Sequence, residues 1–434
     1  MNMKKRFVVS VSSGVYTRGL GGTNKVICAH QEMFNKHSIS YLYLCPVLNG
    51  ITKRLKINTD NYWNVIIDGN YIGVASTTDL IIQLKNQCND GFEMLGLFIH
   101  HLRGVSTDAL TMLIDRINVS IYYYIHDYYA ICKSYNLIDS SKKYCGGFHE
   151  KDSCSNCSYR EEAELVRSKV RTFLNRFRDR TIYIAPSNAA RDIWTKHFPN
   201  LERQTIVIYH QCFCGTFRRN NAQIKEVQKI KVAFVGAALP VKGWHDFCSL
   251  VSSINKDALG EYEFYHMGVG GEEQDEVKQV DVTFHSGLNA MVSALRENSI
   301  DCAILWSVWP ETYSYTYYEC FAANCFILTS KDSGNMCDQV VERKNGLVFS
   351  DINEMIQFFN DPKKVKQTIN HFYKEDIYGP STLEENEEIV DLIEKYSNKG
   401  FISTLSNEAK KNIIKSKLLR ATETIMREIE VIRR

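Results

Sequence analysis

The chain has 434 residues, enough for two to four domains at ~100–200 residues each, with two the simplest division. Its 44% hydrophobic and 24% charged content is that of a folded globular chain and excludes disorder over most of its length. With 52 Lys and Arg against 50 Asp and Glu the formal net charge is +2, so bulk charge gives no support to nucleic-acid binding. No apolar run reaches the ~18 residues needed to span a bilayer. The opening stretch, Met1 to Ser13, has a short strand pattern and lacks the longer apolar run and cleavage site of a secretory signal. Fourteen Cys in that setting are expected to be reduced thiols in the cytoplasm.

In chain order, the first apolar run is Phe7–Val11, followed by a Gly-rich turn (Gly19, Gly21, Gly22) and an amphipathic stretch, Thr23 to Lys36. Strands are predicted at Tyr41–Cys45, Glu93–His100, Val119–His126, Ile182–Ala185 and Thr205–Tyr209. A polar connection, Arg218 to Lys229, precedes a second set: Lys231–Gly236, Glu261–Met267, Val280–His285, Asp301–Trp306, Phe326–Thr329 and Gly346–Phe349. Fully buried strands separated by helices indicate parallel α/β layers. The acidic run Glu384-Glu385-Asn386-Glu387-Glu388 reads as a solvated helix face. Ser406 to Arg434 has helical periodicity in Ile413, Leu418, Ala421, Ile425 and Ile429. The expected organisation is therefore a Rossmann-like domain over 1–215, a linker over 216–229, a second Rossmann-like domain over 230–400 and a helical tail over 401–434. Ligands of open α/β sheets bind at the carboxyl ends of the strands, here the cleft between two facing domains.

The strongest chemical signal is Trp309-Pro310-Glu311-Thr312-Tyr313-Ser314-Tyr315-Thr316-Tyr317-Tyr318-Glu319, in which seven residues separate two carboxylates. Pro310 favours irregular or helix-opening backbone, and the helix is expected to begin shortly after Glu311. Its first N–H groups favour an anion such as a diphosphate, while Glu319 lies about two turns further in. Two acceptors flanking an anion site suit a hydroxyl-rich, phosphate-bearing ligand.

This segment, continued by Ala322-Ala323-Asn324-Cys325-Phe326-Ile327-Leu328-Thr329-Ser330, Ser333-Gly334 and Lys344-Asn345-Gly346-Leu347-Val348-Phe349, resembles the retaining glycosyltransferases of family 4. Ala233-Phe234-Val235-Gly236 and Pro240-Val241-Lys242-Gly243 resemble the start of that family's donor domain. The resemblance covers roughly residues 5–350 and is strongest over 231–349. It implies the α/β GT-B architecture, two doubly wound Rossmann-like domains facing across a cleft, here with a C-terminal helix. It also implies transfer of a sugar, with retention, from a nucleoside diphosphate donor to a hydroxyl of a glycan or lipid-linked acceptor. Glu311 would bind hydroxyls of the donor sugar, Glu319 the ribose, and Lys242 the leaving diphosphate. Tyr315, Thr316 and Gly236 would line the donor. The sequence departs from the family at Ala237 and Ala238, where an Arg is usual, and at Ser314 and Asn324, where Gly is usual; Asn tolerates the left-handed turn that ends a helix.

In the first half, Gly21 and Gly22 open a helix and permit close backbone approach to a phosphate or sugar, or else serve a tight packed turn. The resemblance places this loop at the diphosphate. His126-Asp127 ends a strand at the cleft mouth, and by the resemblance His126 is close to the reacting sugar; a His satisfied by backbone groups is the alternative. His100, His101 and Arg103, with Asp127, are assigned to the acceptor side. Cys132, Cys145, Cys154 and Cys157 share an insertion, about 132–160; spacings of 13 and 9 precede the Cys154-x-x-Cys157 pair. A structural zinc is one reading and buried reduced thiols the other. Arg160 to Arg180 carries seven basic residues against four acids, with Leu165, Phe173 and Phe177. Such a helix either rests on an anionic membrane at its inner face or is solvated.

No Asp-x-Asp motif is present, and no cofactor is expected for catalysis beyond the donor itself. By family analogy the pathway is surface polysaccharide assembly. The rivals are a non-catalytic binding or assembly subunit of the same fold, favoured by the missing Arg, and a nucleotide-sugar epimerase, which needs no acceptor.

Overall fold

The structure is a computed structural model that describes residues 3–18, 21–47, 61–147, 154–218, 228–272, 274–283, 287–374 and 378–396. The expected tail helix over 401–434 and most of the expected linker lie outside the described residues.

The first half forms an eight-stranded sheet from β1 (Arg6–Val11), β2 (Ile39–Pro46), β3 (Tyr62–Ile67), β4 (Asn70–Ser76), β5 (Glu93–Ile99), β6 (Ile121–Tyr124), β7 (Thr181–Ala185) and β8 (Thr205–Val207). Their order is β4-β3-β2-β1-β5-β6-β7-β8. All pairs are parallel except those made by β3, whose hairpin with β4 adds an antiparallel edge. Side chains alternate across the sheet as the strand period demands. Phe7, Val9 and Val11 join one apolar core, whereas Val8 joins the other with Tyr41, Phe98 and Tyr122. With helices on both faces, these strands are buried on both sides.

The next strand, β9 (Gln211–Arg218), leaves this sheet. Then β10 (Ile230–Val235), β11 (Tyr262–Gly268), β12 (Val277–Asp281), β13 (Cys302–Leu305), β14 (Phe326–Ser330) and β15 (Gly346–Phe349) form an all-parallel sheet of six. Its order is β12-β11-β10-β13-β14-β15, which counted from β10 is 3-2-1-4-5-6, the doubly wound arrangement. The order reverses between β10 and β13, the switch point outside whose carboxyl ends ligands of such sheets bind. Ile230, Val232 and Phe234 face one core and Ala233 and Val235 the other.

Two elements depart from the sequence expectation. The strand expected at Val280–His285 is β12, earlier and on an exposed edge. The acidic run is no single solvated helix face. Glu384 and Glu385 end β16 (Tyr378–Glu385), which pairs antiparallel with β9, and Glu388 opens the helix Glu388–Tyr396. Between them Glu387 pairs with Lys36 at 2.6 Å and His37 at 3.0 Å. That last helix returns to the first half, where Ile389, Val390 and Ile393 cover the sheet face of Val8 and Tyr41. The chain thus crosses between the halves twice, side by side, in the β9–β16 ribbon.

Candidate active site

From Leu305, the end of β13, irregular backbone runs to Ser314, where the helix Tyr315–Ala322 starts. Pro310 lacks an N–H and biases Trp309 away from helical backbone, so the segment needs outside partners. Both halves supply them. Trp309 is buried in the core of the first half, edge-on to Tyr128 with centroids 6.1 Å apart. Tyr128 Oη donates to the Pro310 carbonyl at 3.1 Å, Thr312 Oγ1 to the His126 carbonyl at 2.8 Å, and Ser187 Oγ to the Thr312 carbonyl at 2.6 Å. From the second half, Asn335 N–H donates to the Glu311 carbonyl at 3.0 Å and Asn335 Nδ2 to the Tyr313 carbonyl at 2.6 Å. Gly334 has φ +63°, and a Cβ there would lie 2.6 Å from the Pro310 carbonyl carbon, so only glycine allows this approach.

Glu311 is 4% exposed and Glu319 7%. A buried carboxylate needs a partner, and each has a lysine. Lys242 Nζ donates to Glu311 Oε1 at 2.5 Å, and Lys25 Nζ donates to Glu319 Oε1 at 3.0 Å. Lys242 belongs to the turn after β10. At its end Gly243 has φ +81°, and a Cβ would fall 1.9 Å from the Trp306 carbonyl oxygen; glycine alone seats this turn against the end of β13. Lys25 comes from the other half, in the first turn of the helix Gly22–Lys36, and lies 4.1 Å over the Tyr315 ring.

The helix of Glu319 starts at Ser314, whose φ of +67° is unusual for a side-chain-bearing residue and whose Oγ meets Thr316 Oγ1 at 3.0 Å instead of capping the helix. Gly236 closes β10 beside it: a Cβ there would touch Thr316 Cγ2 at 3.4 Å. Gly21 is the N-cap of the first-half helix and Gly22 its first residue, and a Cβ on either meets nothing within 4 Å. Neither packing nor backbone conformation demands glycine at these two positions.

The first half presents a histidine ladder. His100 follows β5 and His126 follows β6, on the face of Phe98 and Tyr124. His100 Nδ1 and His126 Nε2 are 2.8 Å apart, and Tyr41 Oη reaches His100 Nε2 at 3.3 Å. His30 bonds Tyr124 Oη at 3.2 Å, and His210 stacks on Tyr315 at 5.9 Å and lies tilted against His126 at 5.6 Å. Burial lowers all four, His30 and His210 to about 3, and neighbouring histidines depress His100, His126 and His210 further. These rings are neutral at pH 7, each a hydrogen-bond group and not a cation. Beside them His101 Nε2 contacts Asp127 Oδ2 at 2.6 Å. Burial raises the Asp127 carboxyl, but His101, the Tyr129 N–H and His126 together outweigh it and the group ends below its ordinary value. Arg103 is exposed; its N–H bonds His101 Nδ1 and its guanidinium lies over Tyr135.

The structure thus sets Glu311, Lys242, Tyr315, Thr316, Glu319 and Gly236 in one region of the second half. His126 is tied to that region through its carbonyl, and His100 through His126. Sequence reasoning missed Lys25, His210 and Ser187. Lys25 lies three residues after the glycine turn, in the amphipathic stretch Thr23 to Lys36, and His210 follows a strand end, so position alone could have flagged both. For the cysteine insertion, burial pushes the Cys132 thiol up to about 11 and raises that of Cys145, favouring the neutral form of these two. Among the described residues no three His, Cys, Asp or Glu stand as a metal-binding group, so the zinc reading has no support. No cysteine forms a disulfide. In the basic helix Arg160–Arg176, Val170, Phe173 and Leu174 pack inward, as does Phe177 just beyond it. Among the described residues no helix is long and apolar enough to cross a membrane.

Two Rossmann-like halves meeting across the carboxyl ends of their strands make the GT-B fold. Residues 217–375 match the family model described as glycosyl transferases group 1. No curated protein sequence matches the chain. HepE (Alr3699) of Anabaena, in complex with UDP-glucose, shares the fold with a TM-score of 0.50 and 12% identity over 90% of this chain and 95% of its own. Sucrose-phosphate synthase from Thermosynechococcus elongatus gives 0.50 and 11% over 90% and 97%. A TarM variant of S. aureus, in complex with fondaparinux, α-GlcNAc-glycerol and UDP, gives 0.50 and 9% over 90% and 97%. Together the fold and the family-model match support a GT-B glycosyltransferase.

Proposed function

We propose that the protein is a retaining glycosyltransferase, of the family 4 kind, that moves a sugar from a nucleoside diphosphate donor to a hydroxyl of a glycan or lipid-linked acceptor. The observation that carries this reading is the pair of buried glutamates, 311 and 319, each held by a lysine beside the start of one helix. Two fixed acceptors suit the hydroxyls of a sugar and of a ribose, and Lys242 with the positive helix end suits the diphosphate between them. Gly21, Gly22, Gly236, Tyr315 and Thr316 line the donor. His126, neutral and bonded at Nε2 to His100, has Nδ1 for a sugar or phosphate oxygen; His101, Arg103 and Asp127 belong to the acceptor side. The sugar–phosphate bond breaks as the acceptor oxygen bonds the anomeric carbon on the same face, and a phosphate oxygen takes the acceptor proton. In this reading no metal ion takes part. HepE and the TarM variant were solved with UDP or UDP-glucose, which makes UDP-sugars the first donors to test. The surface-polysaccharide role, and the docking of the segment Arg160 to Arg180, with Leu165 at 57% exposure, on an anionic membrane, belong to the same proposal.

The test is nucleotide release from UDP-, GDP- and dTDP-sugars, with and without a glycan acceptor. Glu319→Gln and Glu311→Gln are each expected to lower kcat/KM by about 100-fold or more. Undiminished turnover and donor binding in Glu319→Gln would falsify the site. Conversion of the donor to a second nucleotide-sugar without acceptor would identify an epimerase, and nucleotide-sugar binding without turnover would identify a binding subunit.

A further inference from the structure

The site as assigned is short of positive charge. Glu311 and Glu319 are two buried acids, and Lys242, bonded to Glu311, offsets one of them. A diphosphate adds at least two negative charges at neutral pH. Lys242 alone leaves such a ligand facing a net negative site, which Coulomb repulsion disfavours beside two buried carboxylates. The positions after Gly236 are Ala237 and Ala238, which carry no charge. Yet a second lysine is present, and it comes from the opposite half. Lys25 is 15% exposed, 3.0 Å from Glu319 and 4.1 Å over Tyr315. It sits in the first turn of one helix and meets the Tyr315 ring and the Glu319 carboxylate of another, the helix of the candidate donor site.

We propose that Lys25 is the second cation of the diphosphate site. This rests on the donor reading given above. When the ribose hydroxyls take Glu319 Oε1, Lys25 Nζ exchanges that carboxylate for a diphosphate oxygen. The residue then clamps, from the first half, a donor held by the second. Its long flexible stem makes this exchange with no backbone movement, and its ammonium binds phosphate as a point charge. No covalent bond changes in this step.

Calorimetric titration of the full chain with UDP, GDP and dTDP, and with the matching nucleosides, tests the assignment. For whichever diphosphate binds the parent, Lys25→Met is expected to weaken binding about tenfold or more and to leave the nucleoside within about twofold, while Lys25→Arg restores most of the diphosphate affinity. The diphosphate affinity of the parent should also fall more steeply with added salt than that of Lys25→Met. If Lys25→Met weakens nucleoside and diphosphate equally, the lysine only orients Glu319 and the proposal is wrong. Unchanged diphosphate affinity in a folded Lys25→Met overturns it as well, with the donor reading intact. A parent chain that binds none of the three diphosphates overturns the donor reading, and this inference with it.

Discussion

Glu385 ends β16 in a partly buried position, and burial pushes its carboxyl up to about 7, with Lys25 pulling the other way and Glu32 adding to the rise. In the unfolded chain the same group ionises near 4.5. The folded state therefore disfavours its charge. The penalty is nearly absent below about pH 4, grows as pH rises toward the folded value and levels off above it. Glu385→Gln is expected to exceed the parent in stability by on the order of 3 kcal/mol at pH 8, and by under about 1 kcal/mol at pH 5. Chemical denaturation at the two pH values measures this, and an equal difference at both would show that the carboxyl is not held neutral. At this scale Glu311, Glu319 and Lys242 were legible, because their residue types and order formed a recognisable pattern. Asn324 was legible too: it ends its helix with φ +68°, as a residue tolerant of the left-handed region should. Glu385 was not. A glutamate in an acidic run reads as solvated, and only its strand pairing opposite Gln211 draws it inward.

Among the elements, the turn after β10 carries the sharpest expectation. Gly243→Ala would place a Cβ 1.9 Å from the Trp306 carbonyl oxygen at a φ of +81°, so the turn must shift and take Lys242 away from Glu311. A stability loss of about 1–3 kcal/mol follows from such strain. Nucleotide affinity should fall about tenfold or more with the lost phosphate contact. A folded Gly243→Ala with parental affinity would mean that this turn does not position Lys242. The parallel strands were legible from continuous apolar runs that only burial on both faces explains. The β3–β4 hairpin was overlooked, although Asp68-Gly69 is a strong turn signal; both residues have positive φ, at 49° and 81°. The β9–β16 ribbon had no comparable signal. Gln211–Arg218 and Tyr378–Glu385 are mixed polar stretches, and each is a strand only because the other, far away in sequence, lies beside it.

For the whole molecule, four neutral histidines set the acid limit, His30 and His100 buried and His126 and His210 half-buried. His30 and His210 are lowered to about 3 and His100 and His126 well below their ordinary value, burial being the first cause in each. The unfolded chain takes up protons at these positions near 6.5, and the folded chain does not. Their contribution to stability is complete above about pH 6.5 and is lost as pH falls toward 3, by up to about 1.4 kcal/mol per pH unit for each histidine. Glu385 and Asp301, which burial raises to about 7 and about 6, act in the opposite sense, as do Asp246 and Asp338 with smaller rises, but the four histidines, shifted further, outweigh them. The protein is therefore expected to lose stability steeply between pH 6.5 and 5, with net proton uptake on unfolding, measurable by denaturation and by calorimetry in buffers of different ionisation enthalpy. Constant stability across that range would place the histidines in contact with water.

By itself the sequence determined the layered α/β class, most strands of both sheets and the glutamate segment, because burial period and motif order are properties of contiguous residues. The tertiary structure decided which charges meet. Lys25 and Glu319 are 294 residues apart, and a pairing across that separation leaves no local trace. The same holds for the histidine ladder and for Trp309 in the core of the first half. Each depends on how two independently readable halves are docked, and docking is fixed by surface complementarity over the whole interface and not by any one stretch of chain.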